Sequence, residues 1–333
     1  MAQTVPAAFN AFRQNHVDLD PEQTRKARAS RNYLFDQITA LSKTDPSFPR
    51  ILANYRAFGS FARNTKLRPL DDIDFLVLLH SQGASPVRSL YERYVYRLQL
   101  RDRTSPLAPF ADESGNVNSI RVLNKIKSSL ARVPNYKQAE LKRNNQAVTL
   151  NLQSYPWVFD IVPAAPVDNG LRTTHYLIPD GSGNWIATDP RVDDESVTQV
   201  NSWHQKQFLP TVRILKYWNR RTHKPRLGSY YFENLALKVF NYSMPRIADS
   251  QSAVSFFFAR CQNLLLSPFP DPKKLGADLD AGLDLMTKVK VSEAMKEAQM
   301  NAGVALSHES RLQHREAIGY WKRVFGPEFP DYG

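Results

Sequence analysis

The segment Asp71-Asp72-Ile73-Asp74-Phe75-Leu76-Val77-Leu78-Leu79 constrains this chain more than any other. Ile73 to Leu79 is a short apolar run suited to a strand, and two carboxylates stand two apart at its head. Side chains alternate across a strand, so Asp72 and Asp74 project to one side while Ile73 and Phe75 go to the other. By the same alternation Asp71 falls on the face opposite Asp72. Like charges placed side by side repel, and folding alone gives no reason for that. A divalent metal does, because Mg²⁺ takes carboxylate oxygens together with substrate phosphates.

About a dozen residues upstream, Gly59-Ser60 follows a strand-like run, 55–58, and precedes a short helical stretch. Glycine lets the backbone approach closely, and a Ser hydroxyl with adjacent N–H groups can hold a phosphate at a helix start. Alone, a Gly-Ser marks an ordinary turn and an Asp-x-Asp a surface turn. In this order, and on these elements, the two favour a phosphate site beside a metal site. A third carboxylate is expected from a neighbouring strand. Asp160 is a lone charge in the apolar run 157–162, costly unless it is metal-bound or paired, for instance with an Arg. Three convergent Asp residues can hold two Mg²⁺ ions, one acidifying an attacking hydroxyl and one holding a triphosphate. That chemistry is nucleotidyl transfer.

The remaining pattern supplies a frame. Asp20-Pro21-Glu22-Gln23 reads as a helix start, with the helix running to about Ser42. Two amphipathic stretches, 86–101 and 118–132, read as helices, and Asn144-Asn145 as the turn of a hairpin between 138–143 and 146–152. A short strand is expected over 185–188. From about Asp194 onward the spacing is helical, over 194–221, 229–241, 250–266, 287–306 and 308–324, with a Pro-rich connection at 267–272. The fold class is therefore mixed α/β (α+β): residues 1–190 form a catalytic core with an N-terminal helix and a mixed sheet. Residues 191–333 form a helical bundle closing its cleft.

Composition narrows the setting. The 333 residues carry 44 Lys plus Arg against 32 Asp plus Glu, a formal charge of +12 that suits a nucleotide or nucleic acid and equally suits simple solubility. The single cysteine, Cys261, excludes an internal disulfide framework and a Cys-based zinc cluster, and its apolar surroundings suit a buried small hydrophobe. No stretch approaches the roughly 18 apolar residues that span a membrane. Residues 1–15 lack the basic start and apolar core of a signal peptide. The expectation is a soluble, cytoplasmic protein without membrane contact.

With Gly59-Ser60, Asp72-x-Asp74 and Asp160 in place, the chain resembles the DNA polymerase β-type nucleotidyltransferase superfamily. More narrowly it resembles the bacterial CD-NTases, relatives of cyclic GMP–AMP synthase and the oligoadenylate synthases. Further matches follow in chain order: Trp185-Ile186-Ala187-Thr188-Asp189-Pro190, then Val212 to Trp218, then Ser229-Tyr230-Tyr231-Phe232-Glu233-Asn234-Leu235-Ala236. The resemblance spans about residues 20–270, and the family's usual Ser-Asp-x-Asp is here Asp71-Asp72-Ile73-Asp74.

The resemblance implies a polymerase β-like core, catalytic Asp72, Asp74 and Asp160, and two Mg²⁺ ions for which Mn²⁺ substitutes. It also implies a nucleotide site of Gly59, Ser60, Lys216, Ser229 and Tyr230. Lys216 would contact the donor triphosphate, although a helical Lys is by itself an ordinary solvated residue. Ser229 would add a phosphate hydrogen bond or simply cap its helix. Tyr230 would stack on the donor base or serve as a core aromatic. Glu233 reads as part of the capping of that helix. The product implied is a cyclic di- or trinucleotide, with ATP and GTP giving cyclic GMP–AMP as the first choice. Such a product activates an effector protein in antiphage defence. A monomer is expected, and the tail 329–333 reads as extended and exposed, ending in a Gly333 that could be conjugated to another molecule. Two rival readings stand beside this one: a linear oligoadenylate or RNA-tailing transferase, and an inactive nucleic-acid sensor.

Overall fold

The computed structural model describes residues 2–221, 224–242 and 244–333. Its strands are β1 (Ile51–Ala57), β2 (Asp72–Leu79), β3 (Ala84–Arg88), β4 (Val95–Leu100) and β5 (Asn116–Val117), followed by β6 (Glu140–Asn144), β7 (Ala147–Asn151), β8 (Val158–Asp168), β9 (Thr173–Pro179) and β10 (Trp185–Thr188). Its first helices are α1 (Val5–Phe12), α2 (Pro21–Thr44), the single turn α3 (Gly59–Ala62), α4 (Ser119–Leu130) and α5 (Pro190–Trp203). The rest are α6 (Phe208–Arg220), α7 (Ser229–Val239), α8 (Ser250–Leu264), α9 (Leu285–Glu309) and α10 (His314–Phe325).

The sheet is mixed, in the order β1-β2-β8-β9-β10-β4-β3. Strand β8 is long enough to serve two neighbourhoods: its first half pairs with β2 and β7, and its second half with β9. The β2–β8 pairing is parallel, whereas β1, β7 and β9 run antiparallel to their partners. One face of β2 sends Ile73, Phe75, Val77 and Leu79 into a core shared with Leu34, Phe35 and Ile38 of α2 and Val122 and Ile126 of α4. The other face turns Leu76 toward Val162, Ala164 and Tyr176, and this face carries the two β2 aspartates.

The helices begin where local chemistry favours them. Asp20 accepts a hydrogen bond from the Gln23 N–H at 2.8 Å with Pro21 at the first position, and Asp189 accepts from the Arg191 N–H ahead of Pro190. The stretch expected as one helix over 194–221 is two, α5 and α6, because Gln205 and Lys206 both take left-handed backbone (φ 51° and 68°). The stretch 86–101 is not helical but the hairpin β3–β4. Its partners β5 and β10 lie far along the chain, and Tyr94 adopts a φ of 71° that no helix tolerates. Strand β9 and helix α1 go beyond the sequence reading.

Helix α1 packs away from the sheet. Val5, Ala8, Phe9, Phe12 and Val17 belong to the apolar core of α6–α10, so residues near the start of the chain complete the helical lobe, across the sequence division at residue 190. The tail is extended and exposed over 331–333 but anchored at Phe329. Phe329 is fully buried among Phe9, Phe12 and Phe325, and Tyr332 pairs with Ala2 in a short parallel bridge, while Gly333 itself is exposed. Cys261 is buried as expected. Among the described residues no helix is long and apolar enough to cross a membrane.

The aromatic cluster around Phe329 makes a direct test of tail docking. Phe329→Ala should lower unfolding free energy by about 3 kcal/mol, as for a buried Phe whose site cannot collapse. Urea denaturation of the full chain measures it, and a change within about 0.5 kcal/mol would mark the tail as loosely held.

Candidate active site

The parallel register of β2 and β8 sets Asp74 directly opposite Asp160, with Asp72 opposite Val158 at the strand head. Directly paired residues share a face, so the three carboxylates gather on one side of the sheet. Asp160 is not ion-paired with an Arg: the Thr149 hydroxyl, from β7, donates to it at 2.6 Å. Among the described residues no group of three Asp, Glu, His or Cys side chains is arranged as a ready-made metal cage. Asp72 and Asp160 are instead held by protein partners.

Gly59 closes the cluster from the side. Its φ is 76°, and a Cβ placed there would stand 2.0 Å from Oδ2 of Asp74. Both backbone conformation and space therefore require glycine. Ser60 follows it in α3 and lines a cavity of about 90 Å³ with Lys66, Lys216, Arg220, Arg226 and Ser229. The cavity brings together three of the residues proposed for phosphate contact. Arg220 and Arg226 are additions that sequence reasoning missed, since isolated arginines in a chain of +12 carry no distinguishing spacing. Arg63 also lines a larger cavity of about 710 Å³, with Asn64 and Asp194, that none of the three strand aspartates borders.

Lys66 was likewise silent in the sequence. Its ammonium is ion-paired with both Asp71 and Asp72. Asp71 thus does not stand on the opposite face from Asp72. It precedes β2, outside the regular alternation, and its carboxylate turns toward the same lysine.

Glu233 has a different place from the capping role expected of it. It is 2% exposed and lies between the lobes. Arg63 Nε donates to it at 2.6 Å, the Thr65 hydroxyl at 2.7 Å and Lys216 Nζ at 3.2 Å. Lys216 is accordingly buried and not a solvated helical residue, so its removal cannot leave the fold untouched. Gly228 is the N-cap of α7, and Ser229 is exposed at the first helical position beside the cavity. Tyr230 does not line that cavity. Its hydroxyl donates to Asp193 at 2.6 Å, and its ring carries the Lys273 ammonium 4.2 Å and the Arg63 guanidinium 5.8 Å from its centre.

The electrostatics follow from this crowding. Burial, reinforced by Asp72 and Asp160, pushes the Asp74 carboxyl up to about 7 against the opposing pull of Lys66 and Arg63. Burial and the Asp72 charge raise Asp160, with Thr149 opposing. Burial works against the Lys66 ammonium, but Asp72 and Asp71 outweigh it and hold the group above its ordinary range. Burial alone would raise Glu233, yet Arg63 and Lys216 keep it well below the usual carboxylate range. The arrangement is an acidic cluster facing a basic, phosphate-sized recess.

No protein-family model matches the chain. It is 40% identical over its full length, and over 99% of the relative, to a probable cyclic nucleotide synthase of Bacillus cereus (strain VD146). It is 23% identical over 96% of its length to a cyclic AMP-AMP-AMP synthase of Escherichia coli (strain MS 115-1), covering 95% of that protein. Among solved structures, E. coli MS115-1 CdnC with ATP superposes over 98% of both chains with a TM-score of 0.71 at 18% identity. CdnC in complex with HORMA-deltaN gives the same score at 17% identity and the same coverage.

Two outcomes test this geometry. Asp74 titrates near its ordinary 3.8 in the unfolded chain and at about 7 in the fold. The folded state therefore binds the extra proton, and its stability falls as pH rises from about 4 to about 7. Asp74→Asn, which cannot ionise, should match the wild type near pH 4 and exceed it at pH 8 by about 2–4 kcal/mol in metal-free buffer. Equal melting temperatures at pH 8 would contradict the assignment. Secondly, Glu233→Ala strands Arg63 and Lys216 as buried cations and should cost about 3–5 kcal/mol, whereas Lys216→Ala leaves the Arg63–Glu233 pair intact and should cost about 1–3 kcal/mol. Urea unfolding gives the order, and its reversal would remove Glu233 from the centre of the network.

Proposed function

The chain belongs to the CD-NTase family and is a nucleotidyltransferase, and we propose that it joins nucleoside triphosphates into a cyclic oligonucleotide, releasing pyrophosphate at each bond. The observation that carries this reading is the side-by-side placement of Asp74 and Asp160 on β2 and β8, beside a recess lined by Ser60, Lys216 and Ser229. Asp72, Asp74 and Asp160 are the proposed metal ligands. The donor set fits a hard divalent cation: it is all carboxylate, and burial, reinforced by Asp72 and Asp160, pushes its middle member up to about 7, a crowding that a bound cation would relieve. Lys66 holds Oδ1 of Asp72, and the Thr149 hydroxyl donates to Oδ1 of Asp160. Bound there, two Mg²⁺ ions, or Mn²⁺ in their place, would neutralise the triphosphate and acidify the attacking ribose hydroxyl.

The chain's own groups do the positioning. Gly59 lets the α3 turn approach Asp74, so that phosphates held by Ser60 lie against the acidic cluster. Lys216, fixed by Glu233, and Ser229 close on the same phosphates from the helical lobe, with Arg220 and Arg226 at its edge. Tyr230, braced by Asp193, belongs to the wall for the donor base. ATP and GTP are the proposed substrates and cyclic GMP–AMP the proposed product. The relatives named as cyclic AMP-AMP-AMP synthases support a triadenylate ring as the second product reading. The same proposal includes a monomeric cytoplasmic enzyme, an effector activated by the product in antiphage defence, and conjugation through Gly333.

Incubation with all four triphosphates and Mg²⁺ or Mn²⁺, then phosphatase and mass spectrometry, tests the reaction. A phosphatase-resistant product is expected, from the chain alone or with a HORMA-type partner of the kind CdnC binds. Asp72→Asn, Asp74→Asn and Asp160→Asn should each lower turnover about 10³-fold or more. Linear products alone would favour the oligoadenylate reading. Persistent nucleic-acid binding without any product would favour the sensor.

A further inference from the structure

Lys66 lies in the loop between α3 and β2 and touches both halves of the site. Its ammonium bridges Asp71 and Asp72, and its side chain is only 12% exposed. The same side chain lines the recess with Ser60, Lys216, Arg220, Arg226 and Ser229. Building on the metal-site reading above, we infer that Lys66 is a displaceable internal counter-ion. It holds Asp72 while the acidic cluster is metal-free, and it passes to the donor polyphosphate when divalent cations take the aspartates.

Charge balance argues for the exchange. Asp72, Asp74 and Asp160 share one face of the sheet, Asp71 lines the recess beside them, and the Lys66 ammonium is ion-paired to Asp71 and Asp72. A divalent cation on Asp72 would stand within a few ångströms of that ammonium and repel it. Asp71 alone, 62% exposed, is then a weak, water-screened partner. A polyphosphate laid along Ser60 and Ser229 offers a stronger one within the same cavity. Lysine suits the task, being a compact charge on a flexible four-carbon stem rather than a rigid fork. The consequence is linkage. Metal alone must evict Lys66 and gains nothing for it, whereas metal with nucleotide supplies the displaced ammonium with a new anion, so the two ligands bind with positive coupling.

The probe is Mn²⁺, titrated calorimetrically into the full chain with and without the non-hydrolysable analogue α,β-methylene-ATP. Lys66→Met keeps the length of the stem and removes the charge. It should tighten Mn²⁺ binding without nucleotide about 5- to 10-fold, and shrink the enhancement conferred by the analogue by a similar factor. Lys66→Gln should act in the same direction, and thermal melts identify which variant is folded. Arg226→Gln, in the same cavity but not ion-paired with an aspartate among the described residues, should leave Mn²⁺ affinity without nucleotide within about 2-fold. Unchanged or weaker Mn²⁺ binding in the folded Lys66 variant would overturn the inference. So would an intact analogue effect, or an equal gain from Arg226→Gln, which would mark a general field. Asp74→Asn separates the two layers: it should abolish Mn²⁺ binding, and if it does not, the metal-site reading itself fails and the inference with it.

Discussion

Everything distinctive in this molecule depends on one strand pairing. β2 and β8 lie parallel with Asp74 against Asp160, and no local preference of either strand would choose that juxtaposition. The apolar faces behind them make it tolerable. Ile73, Phe75 and Val77 from one strand, and Phe159 and Ile161 from the other, are sealed under α2 and α4, which fixes the register and leaves the carboxylates no alternative face. The repulsion is thus stored by burial on the far side of the same sheet. It surfaces as a carboxyl that gives up its proton only near neutrality.

The second constraint is the buried charge cluster centred on Glu233. Arg63 and Thr65 belong to the segment that follows the Gly59-Ser60 turn, while Lys216 and Glu233 belong to α6 and α7. A single carboxylate therefore ties the segment after the Gly59-Ser60 turn of one lobe to Lys216 of the other. Desolvated groups of this kind are poor sources of net stability but strict about geometry. Here that strictness positions the two walls of one recess.

Much of this was legible from the residues. The strand aspartates, the glycine beside them and the mixed-then-helical order of elements all follow from alternation, turn chemistry and spacing, because each is a local pattern. The capped start of α2 and the hairpin β6–β7 are legible for the same reason. What escaped were features defined by partners that local spacing does not announce. Residues 86–101 carry apolar positions compatible with a helix, and only the non-local strands β5 and β10 make them a hairpin. Lys66 and Glu233 are ordinary charged residues in the sequence, and their roles exist only once Asp72 and Arg63 are brought to them. Asp71 shows the limit of strand alternation, which does not extend one residue past the strand's end.

The placement of α1 has a consequence for how the chain is made. Its apolar face, Val5, Ala8, Phe9 and Phe12, is covered by residues that lie two hundred or more positions later, including Trp321, Phe325 and Phe329. The sheet, by contrast, draws its buried core from residues 27–185. During synthesis the sheet lobe can therefore be completed while α1 still waits, uncovered, for α6–α10. Topologically the sheet lobe is an insertion within the helical lobe, and α10 shelters α1.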